Sequence, residues 1–392
     1  MARNTPNIQE VALGGLLHDI GKLLQRAHTA TAEMPENVRA RDRDILPSFK
    51  GRYTHWHALW TDAFFDWIER EGHGWPRDID PRWVRDLAVY HHNPLQAYTR
   101  NPTLAATWLV TAADRVAAGV DRKAKDEAAE ADAPTGRDAF RRTPLDAILA
   151  RLRLPGELRR DQTDTARAEA RHIPAPLDAD AIMPLEGVRE SDVLTGYREL
   201  WNDLQQGWRD LIDRAGSDAQ AFEEGLLSLS ERLTWAVPSS TIDQPDVSLH
   251  DHARSVAAVA ACLHAHHAER GELADADAMR DDERPRLRFL VGDLSGLQAT
   301  LFRLRSEQVK GSNRILRGRS QRFGLIADAA ARRVYAAFNL PLSCVLQTAG
   351  GRFLVMLPAQ TEGRTEHILD CLRSEFDDWL AAQYSGELGL GL

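Results

Sequence analysis

The sequence predicts a multidomain protein with a mainly α N-terminal domain, a helical middle region and a C-terminal α+β domain with a ferredoxin-like sheet. Three observations predict this class. The 392 residues are more than one hydrophobic core usually organises. Apolar residues recur at helical spacing through most of the chain. Only the last segment alternates strand and helix patterns, in the order β-α-β-β-α-β that is typical of a ferredoxin-like sheet.

Changes in composition divide the chain into four segments. Residues 1–120 are dense in apolar helical periodicity and carry many of the histidines. Residues 121–190 are rich in charged residues, alanine and proline and poor in aromatic residues, which favours a polar linker with a helix or two. Helical periodicity returns in residues 191–285 and is clearest between Leu194 and Trp208. Residues 286–392 form the last segment.

The elements of the last segment follow from residue type and from its glycine turns. Apolar and β-branched residues predict strands, and longer stretches of helical periodicity predict helices. A Gly350-Gly351 turn joins two of the strands into a hairpin. In chain order the prediction begins with a strand at 287–294 and a helix with a basic loop, in a stretch that is strongly helical at 323–338. Hairpin strands at 343–348 and 352–357, a helix at 362–383 and a closing strand at 388–392 follow.

Composition excludes several classes of protein. Apolar residues at 43% and charged residues at 27% are ordinary for a globular protein. No apolar run approaches the roughly 20 residues that span a bilayer, so we expect no membrane partner. Three widely spaced cysteines exclude a disulfide scaffold and a four-cysteine zinc module, and indicate the reducing cytoplasm. A net charge of −9 argues against a protein coated in nucleic acid, but it allows a local basic groove.

The strongest chemical signal is the pair His18-Asp19 in an apolar helical stretch. Adjacent residues lie about 100° apart around a helix, so both side chains can face one site. Lys22 falls on the same side. Imidazoles and carboxylates suit divalent metals, and a bridged metal pair can generate hydroxide and clamp a phosphoester. Lys22 would then contact a phosphate oxygen.

Further candidate ligands lie downstream of this pair. His91-His92 precede Pro94, which disfavours helix in the residue before it, so we expect them to close a helix. Asp114 lies in an apolar stretch, where an unpaired carboxylate would be costly. Of His55 and His57 we prefer His57, because an apolar helix continues behind it, but the choice stays open. Any single histidine of this kind is more often a core residue than a ligand.

These residues form part of a resemblance that extends along the chain. His18-Asp19-Ile20-Gly21-Lys22, together with Tyr90-His91-His92-Asn93-Pro94, resembles the HD nuclease domain of the large signature subunit of type III CRISPR effector complexes. Residues 237–241 and 245–252 resemble the segment that joins its middle region to its palm. Three motifs resemble its first palm, at 292–298, 316–320 and 350–353. The HD motif alone is common, whereas the ordered combination is specific.

The resemblance implies two activities that follow recognition of target RNA by a guide-RNA complex, to which the subunit binds through partner proteins. The HD domain would cut single-stranded DNA with a divalent metal (Mn, Ni, Co, Fe or Mg). A pair of palms would make cyclic oligoadenylate from ATP. The resemblance to the HD domain assigns catalytic roles to His18, Asp19 and Lys22. The metal ligands that it implies are His18, Asp19, His57, His91, His92 and Asp114.

The sequence departs from this family in its palm. Cyclase chemistry needs carboxylates on a Gly-Gly-Asp-Asp turn to hold metal ions. The corresponding hairpin here reads Gly350-Gly351-Arg352, with no acid, and the family's cysteine zinc site is missing as well. We therefore expect a non-catalytic first palm that uses ATP only with a second palm from elsewhere. The chain would then be a natural short form, one half of a split protein or a truncation.

A basic stretch in the last segment is a weaker candidate site for a nucleotide or nucleic acid. Its arginines could meet phosphates, or they could simply form a solvated helical face. Ser295-Gly296 at a strand-to-helix turn could offer backbone N–H groups to a phosphate, or cap the helix. The candidate residues are Asp293, Ser295, Gly296, Arg314, Arg317 and Arg319.

Two other functions are compatible with the same residues. A nucleotide phosphohydrolase could use the same metal site, although it would not need the C-terminal sheet. A non-enzymatic scaffold could dock guide-RNA-binding subunits and keep the His/Asp residues as a structural metal site.

Overall fold

The computed structural model describes the chain in nine stretches. They are residues 3–28, 34–72, 74–118, 139–148, 170–241, 245–281, 283–302, 311–360 and 363–392. These residues form two compact units, Met1–Ala257 and Ala258–Leu392. Much of the predicted linker at 121–190 lies outside the described residues. No helix within the described stretches is both long enough and apolar enough to cross a membrane.

The first unit is built from helices. In chain order they are α1 (Ile8–Leu17), α2 (Gly21–Ala27), α3 (Glu36–Arg39), α4 (Asp42–Ile45), α5 (His57–Arg70), α6 (Pro81–Val89), α7 (Pro94–Arg100), α8 (Thr107–Ala117), α9 (Glu190–Ala215), α10 (Ala219–Thr234) and the first part of α11 (Leu249–Glu269). Two antiparallel pairs of short strands accompany them, β1 (Ser48–Phe49) with β2 (Arg52–Tyr53), and β3 (Leu145–Asp146) with β4 (Arg171–His172).

Helix α1 is the centre of this unit, and its residues from Glu10 to Leu17 are all buried. A capping box starts it: Glu10 N donates to Asn7 Oδ1 and Asn7 N donates to Glu10 Oε2, both at 2.8 Å. Helix α1 packs against α6 and α8, and α2 packs against α5 and α9. Helix α9 also brings Trp208 into an edge-on contact with Phe64 of α5, which closes the apolar core on that side.

The second unit contains a four-stranded antiparallel sheet. After the end of α11 and the short α12 (Ala276–Arg280), its elements are β5 (Leu287–Ser295), α13 (Leu297–Phe302), α14 (Ser312–Ala337), β6 (Val345–Ala349), β7 (Arg352–Pro358), α15 (Arg364–Tyr384) and β8 (Gly389–Gly391). The strand order is β6-β7-β5-β8, with every neighbouring pair antiparallel. This is the arrangement of a ferredoxin-like sheet. The predicted order of strands and helices is confirmed.

The starts of the first hairpin strand and of helix α14 differ from the prediction. The first hairpin strand begins at Val345 instead of Ser343, because Leu342–Cys344 form a 3₁₀ turn before it. Helix α14 begins at Ser312, earlier than Phe323, where the strongly helical pattern of the sequence starts. Arginines broke the apolar periodicity in this stretch, but they are tolerated because that part of the helix is exposed.

Candidate metal centre

The pair His18-Asp19 lies in the turn between α1 and α2 and is almost fully buried, with 0% and 1% of the surface exposed. The sequence placed the pair within one helix, but α1 ends at Leu17 and α2 begins at Gly21. His18 Nδ1 donates to Gly15 O at 2.7 Å. This bond sets the ring orientation and leaves Nε2 as the atom that can bind a metal.

A close contact between α2 and α5 brings His57 to Asp19. A Cβ atom on Gly21 would lie 2.0 Å from His57 O, so only glycine fits at this position. Thr61 bridges the two elements, since it accepts from Gly21 N at 3.1 Å and donates to His18 O at 2.9 Å. As a result, His57 Nε2 lies 3.2 Å from Asp19 Oδ1.

His91 and His92 follow the end of α6 at Val89, as their position before Pro94 predicted. His91 Nδ1 donates to Ala88 O at 2.6 Å, and its Nε2 lies 3.8 Å from Asp19 Oδ1. His92 Nε2 lies 2.9 Å from His57 Nε2. The turn therefore presents both imidazoles to Asp19 and His57.

Asp114 of α8 and His252 of α11 complete the other side of the centre. Asp114 Oδ1 lies 3.7 Å from His18 Nε2 and 3.1 Å from His252 Nε2. His252 Nε2 is also 3.6 Å from Asp19 Oδ2. His252 was not among the ligands that the sequence predicted. Its local signals were its place near the start of a buried, alanine-rich helix and at the end of the 245–252 motif that the resemblance already included.

Potential ligand atoms fall into two groups that share Asp19. One group contains Asp19, His57, His91 and His92, and the other contains His18, Asp19 and His252. Within each group the ligand atoms lie within 4.8 Å of one another. Asp19 faces the first group with Oδ1 and the second with Oδ2. Asp114 stands beside the second group.

The polar atoms at this centre fit a bound metal. Four potential ligand atoms are buried and make no hydrogen bond of acceptable geometry with the described residues. They are Nε2 of His18, His91 and His252 and Oδ1 of Asp19. Such atoms are costly to bury without a partner. Imidazole nitrogens with carboxylate oxygens form a donor set for Mn, Fe, Co, Ni or Zn, whereas Mg²⁺ prefers oxygen ligands.

The electrostatics of the centre favour protonation states that bind metals. Burial raises the pKa of Asp19, but Lys22, His18 and His57 outweigh it and hold that pKa well below its usual range. Burial and the neighbouring His18 lower the pKa of His91 to about 3. His18 is the exception: burial lowers its pKa, yet Asp19 and Asp114 raise it to about 9. A metal must therefore displace a proton from His18.

Lys22 and His55 lie beside the ligands. Lys22 Nζ donates to Asp19 Oδ2 at 2.6 Å and to Ser239 O at 2.9 Å. The expected contact with a substrate phosphate would therefore be a third interaction of this ammonium group. The structure places His57, and not His55, in a ligand group. His55 instead packs against His92, with ring centroids 3.9 Å apart and the ring planes tilted by 41°, and it adopts a left-handed φ of 57°.

The candidate nucleotide-binding residues of the second unit lie on the sheet and on the helices beside it. Asp293 pairs with Arg352 across β5 and β7, with Arg352 Nε 3.0 Å from Asp293 Oδ1, and both side chains are exposed. Gly296 has a φ of 81°, and a Cβ there would lie 2.1 Å from Glu387 O, so packing requires this glycine. Ser295 Oγ donates to Gly389 O at 3.3 Å.

The three candidate arginines differ in their surroundings. Arg314 and Arg317 are exposed on α14. Arg319 donates through Nη1 to Thr300 O at 2.9 Å and to Leu301 O at 3.0 Å. Arg319 therefore holds the end of α13, and only the other two are open to solvent.

The chain thus has a helical unit, which carries a buried His/Asp cluster that could hold metal ions, and a unit with a ferredoxin-like sheet. Residues 287–392 match the family model described as Csm1 subunit domain B.

Curated relatives match nearly the whole chain. The single-strand-specific deoxyribonuclease Cas10/Csm1 of a subtype III-A CRISPR system from Thermococcus onnurineus (strain NA1) is 26% identical over 383 residues, which cover 97% of this chain and 42% of the relative. The protein of the same name from Mycobacterium tuberculosis is 25% identical over 395 residues, covering 98% and 44%. The chain thus spans less than half the length of these relatives.

Solved structures show the same fold. The crystal structure of Csm1 from T. onnurineus aligns with a TM-score of 0.63 at 22% identity, and covers 98% of this chain and 44% of that one. A Csm1–Csm4 cassette in complex with AMPPNP gives the same values. The comparisons confirm the predicted resemblance to the large subunit of type III CRISPR effector complexes.

Proposed function

We propose that this chain is the nuclease-bearing part of a type III CRISPR large subunit and cuts single-stranded DNA at the His/Asp centre with divalent metal. One observation carries the proposal: Asp19 lies between two groups of buried potential ligands that come from separate elements of the first unit. The relatives that match most of the chain are named single-strand-specific deoxyribonucleases, which supports the choice of substrate.

In this proposal each ligand group holds one metal ion. His57, His91, His92 and Asp19 would hold the first, and His18, His252 and Asp19 the second, with Asp114 beside it. Two bound ions would supply a hydroxide at neutral pH and neutralise charge on a phosphodiester.

The protein's own groups prepare this centre. Backbone carbonyls at Gly15 and Ala88 orient His18 and His91, so that their Nε2 atoms face the ligand groups. Lys22 keeps Asp19 ionised and adds a positive charge that attracts the DNA backbone. Low exposure of the ligands strengthens these charge interactions.

We assign the four segments as in the family. Residues 1–120 form the HD nuclease domain, 121–190 a linker, 191–285 the middle region and 286–392 the first palm. Because His252 belongs to the third of these, the middle region contributes a ligand to the nuclease centre. The palm has no acid on its hairpin, so ATP and cyclic oligoadenylate chemistry would require a second palm that carries these acids.

The partners that we propose are those of a type III effector. Solved relatives pair Csm1 with Csm4, which supports docking to a Csm4-like subunit of the guide-RNA complex. Target RNA would act indirectly through this complex in the cytoplasm.

The experiment compares cleavage of fluorescent single-stranded DNA by the parent and by the double variant His18→Ala, Asp19→Ala, with Mn²⁺ or EDTA. We expect cleavage with Mn²⁺ only, and a loss of more than about 100-fold in the double variant, since metal affinity depends on these ligands. An equal rate in the double variant contradicts the site. Hydrolysis of deoxynucleoside triphosphates without cleavage of DNA indicates a nucleotide phosphohydrolase instead. No turnover with any metal, together with co-purification of partner subunits, indicates a scaffold.

A further inference from the structure

Two cations of helix α2 bind consecutive carbonyl groups of one distant segment. Arg26 Nη1 donates to Pro238 O at 2.7 Å, and Lys22 Nζ donates to Ser239 O at 2.9 Å. Lys22 and Arg26 are four residues apart, so they project from the same face of the helix. Helix α2 thus holds the segment at two adjacent peptide groups.

Arg26 is an unusual residue for this place. It is buried, with 3% of its surface exposed, and no carboxylate in the described part of the chain lies within ion-pair distance of it. Its guanidinium instead lies 5.6 Å from the ring centroid of Tyr197. A buried charge without a counter-ion is costly, and an apolar residue of similar size would stabilise the core at lower cost. A role in stability alone therefore explains Arg26 poorly.

The contacts of Arg26 lead to His252 through backbone hydrogen bonds. Leu249 N donates to Val237 O at 2.6 Å and Ser239 N donates to Val247 O at 2.9 Å, so residues 237–239 and 247–249 lie side by side. His252 N then donates to Ser248 O at 3.1 Å in the first turn of α11. The place of Pro238 and Ser239 therefore determines where this turn of α11 begins.

We propose that Arg26 is a positioning residue for His252 and thereby sets the affinity of the second ligand group for its metal ion. The inference rests on the proposed function, because it takes both ligand groups as metal sites. The first group depends on helices α5 and α6 and on Asp19, and it contains no residue from the segment that Arg26 holds. Loss of Arg26 should therefore affect the two ions differently.

The test titrates Mn²⁺ into the metal-free full chain by calorimetry and records the Mn²⁺ electron paramagnetic resonance spectrum. We expect the parent to bind two ions with spin coupling between them. In Arg26→Met the ion of the second ligand group should lose about 10- to 100-fold in affinity, the usual effect of a residue that orients a metal ligand, while the affinity for the other ion is unchanged. Arg26→Lys keeps a buried donor and should recover most of the loss. His252→Ala should lose the same ion.

Arg286→Met is the matched control, since Arg286 is also buried and donates to a carbonyl, Met279 O at 3.1 Å, in the second unit. It should bind both ions as the parent does. If Arg26→Met does not fold, Arg26→Gln keeps a shorter polar side chain, and the same selective loss is expected.

Three results overturn the inference: a parent with a single ion, an Arg26 variant that binds both ions as the parent does, and an equal loss at both ions. A parent that binds two ions but cuts no DNA contradicts the proposed function and leaves the role of Arg26 standing.

Discussion

His252 Nε2 lies 3.1 Å from Asp114 Oδ1, although the two residues belong to helices α11 and α8 and are separated by more than a hundred positions. Both side chains are buried, and Asp19 is within reach of His252 as well. The candidate nuclease centre therefore includes a residue that lies well beyond the N-terminal 120 residues.

Replacement of His252 by alanine should abolish most DNA cleavage. It removes one nitrogen ligand of the second group, so we expect a rate at least about 100-fold below that of the parent, measured with Mn²⁺ and single-stranded DNA. His250→Ala is the control, because His250 is equally buried on the same helix but contacts Ser230 Oγ. Similar losses in the two variants would show that the effect comes from the helix and not from the ligand.

Gly21→Ala should destabilise the first unit. Its methyl group would collide with the backbone of α5 at His57 O, so we expect a loss of about 3 kcal/mol in the free energy of unfolding, measured in urea. Gly324→Ala makes the same chemical change within α14, where a Cβ meets nothing within 4 Å. That variant should gain about 0.5–1 kcal/mol, because alanine favours a helix. Unchanged stability in Gly21→Ala would contradict the close contact of α2 with α5.

Asp86→Asn should stabilise the protein at neutral pH only. Burial raises the pKa of Asp86 from 3.8 to about 6. Since the folded state holds this proton more tightly than the unfolded state, ionised Asp86 reduces stability as the pH rises from about 4 to 6. Asparagine avoids this loss, so we expect a gain of about 2 kcal/mol at pH 7.5 and almost none at pH 4, measured by urea unfolding.

Asp80→Asn provides a control of opposite sign. The hydrogen bond from Arg82 lowers the pKa of Asp80, so its carboxylate stabilises the folded state at neutral pH and loses that effect in acid. The variant should be less stable than the parent at pH 7.5, and the difference should shrink as the pH falls. A gain that does not depend on pH in Asp86→Asn would exclude the ionisation of Asp86 as its cause.

Removal of metal should lower the melting temperature. An ion that binds only the folded state at 100 times its Kd stabilises it by about 2.7 kcal/mol. We therefore expect Mn²⁺ to raise the melting temperature by several degrees and EDTA to reverse this, as followed by circular dichroism. The double variant His18→Ala, Asp19→Ala should show no shift. Ca²⁺ should give a smaller shift, because it prefers oxygen ligands. Equal shifts in parent and double variant would place the bound ion elsewhere.

Local patterns predicted the elements of the second unit well, because each depends on a short stretch of chain. Apolar and β-branched content marked β5, and the glycine pair marked the turn between β6 and β7. The start of α14 was missed, since its exposed arginines carry no apolar periodicity. In the first unit, the buried helical residue Asp114 and the pair His91-His92 before Pro94 were identified for the same local reasons.

The amino-acid sequence alone determined the chemistry that is available: a His-Asp pair in an apolar stretch, further histidines and an acid in apolar helical stretches, and a glycine hairpin without carboxylates. Tertiary structure alone decided which of these groups meet. It selected His57 over His55, paired Lys22 with Asp19 and Ser239, and added His252. The physical reason is that residue type and periodicity act over a few turns of helix, whereas ligand distances of 3–4 Å depend on how distant helices pack.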